Sequence, residues 1–179
     1  MLPVEVEMLP AAAAGDGAVM NGLTGLVNEV YAVAERGMWV GGAARSSAAE
    51  FAGLTRAGQI AVARVGAEIA GCIRIQRLDD RVAEFGMLAA APAHRGIGVG
   101  RELVRFAECR AVAEGRNLMQ LELLVPRDWS HPSKERLDAW YTRIGYRVVR
   151  TGSIDEAYPH LAPLLATPCR FVIYHKEIG

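Results

Sequence analysis

Residues 88–100 read Leu-Ala-Ala-Ala-Pro-Ala-His-Arg-Gly-Ile-Gly-Val-Gly, and this stretch decides the fold. An apolar segment ends at Pro92, three glycines follow at alternate positions from Gly96, and an apolar stripe at helical spacing begins at Leu103. This order predicts a strand, a tight loop and a helix over 101–114. Because the first turn of a helix has free N–H groups and the positive end of the dipole, the loop suits a phosphate.

The loop alone leaves two interpretations open: a phosphate site, or a tight strand-to-helix turn without a ligand. Two other nucleotide sites do not fit the sequence. A dinucleotide-binding Gly-x-Gly-x-x-Gly needs a glycine where Arg101 stands, and it follows the first strand of its unit, whereas several strands precede this loop. A phosphate loop ending in Gly-Lys-Ser/Thr is absent.

Hydrophobic periodicity elsewhere predicts an α+β protein, with strand hairpins in the first half and a strand–helix–strand crossover after the glycine loop. The predicted strands cover 4–8, 59–64, 68–76, 82–91, 118–125, 146–150 and 171–175. The other predicted helices cover 16–37, 46–54 and 133–144, and 155–165 is expected to be irregular. No repeat or linker divides the chain, so we expect one domain over residues 1–179.

Composition narrows the classes of function. Of 179 residues 51% are hydrophobic, and 20 basic residues balance 20 acidic ones, which argues against a nucleic-acid partner. The three cysteines and four histidines lack metal-ligand spacing, so no metal site is expected. No apolar run reaches the roughly 18 residues that span a bilayer, and no signal segment is visible, so we expect a cytoplasmic protein without a membrane partner.

Two motifs resemble the GNAT superfamily of acyl-CoA N-acyltransferases. Arg95-x-x-Gly98-x-Gly100 is similar to that family's Arg/Gln-x-x-Gly-x-Gly/Ala signature, and the apolar segment before Pro92 is similar to the strand that precedes it. Downstream, residues 140–146 (Trp-Tyr-Thr-Arg-Ile-Gly-Tyr) resemble the family's aromatic/Leu-Tyr-x-x-x-Gly-Phe/Tyr segment. The resemblance implies a three-layer α/β/α fold with a central mixed, mostly antiparallel sheet of six or seven strands.

The resemblance also implies acetyl-CoA as cosubstrate. The expected pyrophosphate-binding residues are those of the loop: Arg95, Gly96, Ile97, Gly98, Val99, Gly100 and Arg101. Backbone groups of Leu88, Ala89 and Ala90 are expected to pair with the pantetheine arm, which in this family lies between splayed strands. One departure concerns the Asn seven residues before the family tyrosine and the Ala three residues after that Asn. Their places hold Lys134 and Leu137. Lys134 could reach a phosphate in place of the Asn, but we expect it to be a solvated surface residue.

Acetyl transfer to an amine needs a base, because only the neutral amine attacks and a lysine-like amine has a pKa of about 10.4. Glu122, in a Leu-Glu-Leu that resembles the Leu-Glu-Val of some protein-acetylating members, and Glu84 are the candidates. Each could instead be a strand glutamate paired with an arginine. Tyr141 falls on the tyrosine that commonly protonates the leaving thiolate, and core packing is its alternative role.

The acceptor is the least specified part of the sequence. In this fold the first helices usually wall the acceptor pocket, which makes Asn28, Tyr31, Glu35 and Trp39 candidate substrate-binding residues, together with Trp129 and His131. Two other functions stay open: a noncatalytic acyl-CoA-binding sensor, and a dimeric partner-binding protein whose interface is formed by the last strands and the Tyr158-Pro159-His160 segment. A homodimer is compatible with catalysis as well.

Overall fold

Seven strands form one mixed sheet in the computed structural model, which describes residues 2–179. The sheet order is β1-β2-β3-β4-β5-β7-β6. The strands are β1 (Val4–Met8), β2 (Ile60–Val65), β3 (Glu68–Arg77), β4 (Val82–Ala90), β5 (Leu118–Pro126), β6 (Arg147–Ser153) and β7 (Cys169–Glu177). All neighbours are antiparallel except β4 and β5, which are parallel because a helix carries the chain across between them. The sheet and its helices confirm the predicted α+β, GNAT-like fold.

Within residues 2–179, five α-helices accompany the sheet: α1 (Gly17–Ala34), α2 (Ala48–Arg56), α3 (Val99–Ala113), α4 (Pro132–Arg143) and α5 (Ile154–Ala157). The Asp16 side chain caps α1 by accepting from the N–H groups of Ala18 and Val19, and Ser47 caps α2 by accepting from Glu50 N–H. The short α5 overlaps the start of segment 155–165, which is expected to be irregular. A four-residue helix has too weak a periodic signal to be read from sequence.

The helices pack on both faces of the sheet. On one face α1 and α2 bury a core around Leu23, Phe51 and Val62. On the other, α3 and α4 bury a larger core around Leu103 and Tyr141. Side chains of a strand alternate between faces, so the central strands β2, β3 and β4 contribute to both cores. The three layers follow from this alternation.

Gly71 on β3 brings α3 close to the sheet. A Cβ atom there would lie 2.7 Å from the carbonyl oxygen of Ala89 and 2.7 Å from Cγ1 of Val99, the first residue of α3. Real Cβ atoms do not come so near, so only glycine allows this contact. The start of α3 is therefore held against the end of β4.

The helices and the cysteines bear on two expectations from composition. No helix within residues 2–179 is both long and apolar enough to cross a membrane. Cys72, Cys109 and Cys169 are all free thiols, and the first and last of them are buried as packing residues.

Candidate active site

The sheet opens between β4 and β5. These strands pair only at their beginnings, where 82–84 lie opposite 118–120. Beyond that point β4 bulges: Cys72 pairs with Ala89 and Arg74 with Gly86, so two residues of β4 face one of β3. Met87, inside the bulge, has a φ of +48°, a conformation that is rare outside glycine. The bulge turns the rest of β4 away from β5.

The opening leaves the facing edges of β4 and β5 unpaired beyond residues 84 and 120. Ala91 donates its N–H to the carbonyl oxygen of Ala70 on β3. Because successive N–H groups of a strand point to opposite edges, the N–H of Ala90 points toward the opening. A bound molecule could accept this hydrogen bond.

A cavity of about 840 Å³ occupies the opening. It is walled by α1 on one side of the sheet and by α4 on the other. Both predicted bases and the predicted acid line it, as do Leu88, Ala90 and Gly100 of the predicted cofactor residues. The cavity therefore connects the two faces of the sheet, and residues from both faces can meet in it.

The glycine loop meets the cavity at the first turn of α3. Gly98 caps the helix with a φ of +91°, and no side chain accepts from the N–H groups of that turn. Gly96 also has a positive φ, of +86°. The first turn of α3 thus has free donors and the positive end of the helix dipole, the features of an anion site.

The remaining predicted cofactor residues lie at different depths. Arg95, Gly96 and Arg101 are exposed, and Ile97 and Gly98 are partly buried. Ala89 and Val99 are buried in the cores on opposite faces. The side chains of Ala89 and Val99 therefore pack, and only their backbone groups could serve a ligand.

Tyr141 of α4 reaches the cavity from the α3–α4 face. Its ring packs near Phe85, Trp140, Tyr146 and Tyr174. Burial raises the pKa of its hydroxyl, and the neighbouring Tyr31 and Tyr174 hydroxyls raise it further. Tyr141 is therefore a protonated phenol at neutral pH, as a proton donor must be.

Glu122 of β5 lines the cavity on the opposite face. One carboxylate oxygen accepts a 2.8 Å hydrogen bond from the hydroxyl of Tyr158. Burial raises the pKa of Glu122, with the charge of Glu84 adding to it, while Tyr158 and Arg150 act in the other direction. A general base works best when its pKa lies near the working pH, so a raised pKa makes Glu122 a better base at neutral pH.

Glu84 of β4 is held by two amides. It accepts from Gln76 Nε2 through one oxygen and from Gln120 Nε2 through the other, both at 2.7 Å. The oxygen of the Gln120 amide lies 2.8 Å from Nε2 of His175, which extends the network across the sheet. Both oxygens of Glu84 are thus engaged, whereas one oxygen of Glu122 has no partner among residues 2–179.

The predicted acceptor residues in and just after α1 lie in different surroundings. Tyr31 and Glu35 line the cavity, whereas Asn28 and Trp39 lie outside its wall. Asn28 uses its amide to hold the backbone of Arg45 and Ser46. The indole N–H of Trp39 donates to Glu35 at 2.6 Å. Asn28 and Trp39 therefore hold residues of the cavity wall in place through hydrogen bonds, but they do not line the cavity.

The two aromatic residues of the loop before α4 also lie away from the cavity. Trp129 donates its indole N–H to Thr167 at 3.0 Å. His131 caps α4 by accepting from Ser133 N–H, and its other ring nitrogen lies 3.2 Å from the carbonyl oxygen of Arg36. Both side chains are used to hold the loop.

The expectation that Lys134 is a solvated surface residue is wrong. Its Nζ lies 3.0 Å from Oε1 of Glu35, and both side chains are only 3% exposed. Burial lowers the pKa of Lys134. Burial alone would raise the pKa of Glu35, but Lys134, Arg45 and the Trp39 hydrogen bond together hold it below its ordinary value. The cation is internal to the protein, and Glu35 already has its counter-charge.

Several cavity residues were not identified from the sequence: Tyr158, Arg74 and Gln76. Tyr158 lies in an irregular segment, where no periodicity shows the direction of a side chain. Arg74 and Gln76 alternate with buried residues on β3, and this alternation was the available signal that they share one face. Within residues 2–179 no group of three or more His, Cys, Asp or Glu side chains is arranged to hold a metal ion.

A family model described as "Acetyltransferase (GNAT) domain" matches residues 56–148, just over half of the chain. The match includes β2 to β5, the glycine loop and α4. No curated protein shows significant similarity to the sequence.

Solved structures share the fold at low identity. The yncA protein of Salmonella typhimurium, solved with its cofactor acetyl-CoA, superposes with a TM-score of 0.68 at 13% identity, over 99% of this chain and 95% of that one. An IAA acetyltransferase from Bacillus cereus gives 0.63 at 16%, over 98% and 100%. A GNAT family acetyltransferase from Elizabethkingia anophelis with acetyl-CoA bound gives 0.52 at 17%, over 66% and 75%. The superpositions establish a common fold, and at identities this low they establish the fold alone.

Proposed function

The chain belongs to the GNAT acetyltransferase family, and we propose that it transfers the acetyl group of acetyl-CoA to a primary amine by direct attack on the thioester. One observation carries this proposal. Tyr141 from one face of the sheet and Glu122 from the other line the same opening between β4 and β5. A proton donor and a proton acceptor on opposite sides of one cavity suit a reaction in which an amine loses a proton and a thiolate gains one.

The residues present fit acetyl-CoA. The free N–H groups at the start of α3, with the exposed Arg95 and Arg101 near them, suit a pyrophosphate. Gly100 adds no side chain where α3 meets the cavity. The free edge of β4 suits the amide groups of a pantetheine arm, and the Ala90 N–H is available to a carbonyl oxygen. When bound, acetyl-CoA would supply an activated acetyl group with a thiol as leaving group.

We assign the base to Glu122, acting directly or through one water. Its raised pKa and its free oxygen favour it over Glu84, whose two oxygens are both held by glutamine amides. Glu122 would take the proton that the attacking amine loses. Tyr141 would give its proton to the departing sulfur, and its burial keeps that proton available at neutral pH.

A noncatalytic acyl-CoA sensor is the alternative function. Such a protein would need the start of α3 and the free edge of β4, but it would not need an ionisable pair across the cavity. The hydrogen bond that Tyr158 donates to Glu122 holds the carboxylate at the cavity wall, and this favours the enzyme. A homodimer through the edge strand β6, where Val148 and Val149 are about half exposed, stays a prediction.

Release of free thiol from acetyl-CoA, measured against a panel of amines, polyamines, aminoglycosides, amino acids and peptides, tests the proposal. We expect turnover with at least one acceptor, and loss of turnover in Glu122→Gln with CoA binding retained. Tight binding of CoA by calorimetry without turnover on any acceptor would favour the sensor. Absence of both binding and turnover would contradict both functions.

A further inference from the structure

Arg74 is a positively charged residue in the wall of the cavity. It lies on β3, on the face covered by α1 and α2, and it lines the cavity wall. Its partner across the strands is Gly86 of β4. Nothing lies within 4 Å of the point where a Cβ of Gly86 would stand, so the space beside Arg74 is open.

The guanidinium of Arg74 is oriented by neutral groups. Its Nε donates to Gln59 Oε1, and one terminal nitrogen donates to Gln76 Oε1, both at 2.8 Å. The amide nitrogen of Gln76 donates in turn to Glu84, so the Gln76 oxygen is turned toward Arg74. Two of the five guanidinium N–H groups are used in this way, and three are left.

No carboxylate of residues 2–179 forms a salt bridge with Arg74. Arg45, a second arginine of the cavity wall, lies 3.9 Å from Glu35. Gln76 separates the partly buried guanidinium from Glu84, so the N–H groups that face the cavity are free to bind an anionic ligand. The planar fork of an arginine matches a carboxylate in particular, because two parallel N–H groups meet two oxygens.

We infer that the acceptor of this enzyme carries a carboxylate beside its amine, and that Arg74 binds that carboxylate. This inference rests on the proposed acetyl transfer. Glu84 and Glu122 lie on the next two strands of the sheet, β4 and β5, and would face the amine. The wall therefore has a cation for the carboxylate of a small amino acid and, beside it, anions for its amino group. A polycation fits less well, because Arg45 and Arg74 repel it and Lys134 already neutralises Glu35.

The experiment uses matched acceptors: an amino acid, its methyl ester, and the amine that lacks the carboxylate. We expect the intact protein to turn over the amino acid with the highest kcat/KM of the three. In Arg74→Gln the KM for the amino acid should rise about 10- to 100-fold, as for loss of hydrogen bonds to a charged group. The KM for acetyl-CoA and the kcat/KM for the plain amine should stay within about 2-fold.

Arg77→Gln is the control, because Arg77 lies at the exposed end of the same strand, outside the cavity, and pairs with Asp80. Equal kcat/KM for the three acceptors, or an equal effect of Arg74→Gln on all of them, would overturn the inference and leave the acetyl transfer standing. If neither these acceptors nor the wider amine panel gives turnover, the proposed function fails. The inference about Arg74 is then tested by calorimetry, which measures binding of the amino acid in the presence of CoA. Equal affinity in the intact protein and in Arg74→Gln would overturn the inference.

Discussion

Nζ of Lys134 and Oε1 of Glu35 lie 3.0 Å apart with both side chains 3% exposed, and they join α4 to α1, which cover opposite faces of the sheet. The pair spans the two walls of the cavity. Arg45 lies at the edge of the pair, 3.9 Å from Glu35 and with its guanidinium over the rings of Tyr31 and Trp39. The stability of the protein and the shape of the cavity wall therefore both depend on the Lys134–Glu35 ion pair.

Replacing Lys134 with Met should destabilise the protein by about 3 kcal/mol, because a buried carboxylate loses its main counter-charge. Urea unfolding followed by tryptophan fluorescence measures this. Replacing both partners, in Lys134→Met/Glu35→Leu, should recover most of the loss. Lys176→Met is the control: that lysine pairs with Glu108 at 26% and 18% side-chain exposure, so its removal should cost about 1 kcal/mol or less. Equal stabilities for the two single variants would contradict the prediction.

Tyr141→Phe should lower kcat by about 100-fold or more and leave the KM for acetyl-CoA nearly unchanged, since only the proton donor is lost. Thiol-release kinetics measure both constants. Tyr146→Phe is the matched control, because its buried hydroxyl donates to Glu108 at 2.8 Å and lies outside the cavity wall. An unchanged kcat in Tyr141→Phe would remove Tyr141 from the reaction.

The acid limb of the pH–rate profile should follow the pKa of Glu122, because the base acts when deprotonated. The Tyr158 hydrogen bond lowers that pKa and the charge of Glu84 raises it. Tyr158→Phe should therefore move the limb of kcat/KM to higher pH, and Glu84→Gln should move it to lower pH. Shifts of the same sign in the two variants, or loss of activity in Glu84→Gln alone, would show that Glu122 is not the base.

Two glycines of the loop should respond differently to alanine. Gly98 has a φ of +91°, so Gly98→Ala should cost about 1 kcal/mol of stability. Gly100 lies inside α3, where an added Cβ would make an ordinary 3.7 Å contact with Trp140, so Gly100→Ala should leave stability unchanged or slightly higher. It should nevertheless weaken CoA binding about 10-fold in calorimetry, because the methyl group enters the proposed binding surface. Unchanged CoA affinity in Gly100→Ala would contradict this.

The strands, the four long helices and the glycine loop could be predicted because each has a local signal. A short apolar run marks β5, and helical spacing marks α3 and α4, so the positions of Glu122 and Tyr141 on their elements followed directly. These elements also carry the motifs that identify the family, and the family profile matches the same region.

The partners of the site residues could not be predicted, because they are distant in sequence. Lys134 and Glu35 are 99 residues apart, and Glu122 and Tyr158 are 36 apart. A lysine between polar helix neighbours looks solvated until the opposite wall is known, since the sequence shows a residue's periodicity and not what packs over it. Tyr158 lies in a segment without regular periodicity, so its direction depended on tertiary packing.

The free edge of β4 has a consequence for how this protein avoids unwanted association. An unpaired strand edge usually lies on the outside of a sheet, where it can recruit a strand of another chain. Here the edge lies in the middle of the sheet, with α1 and α4 on either side of the opening. To pair with this edge, a strand of another chain would have to pass between α1 and α4. The protein thus keeps open backbone positions for a small ligand without presenting them to its neighbours in solution.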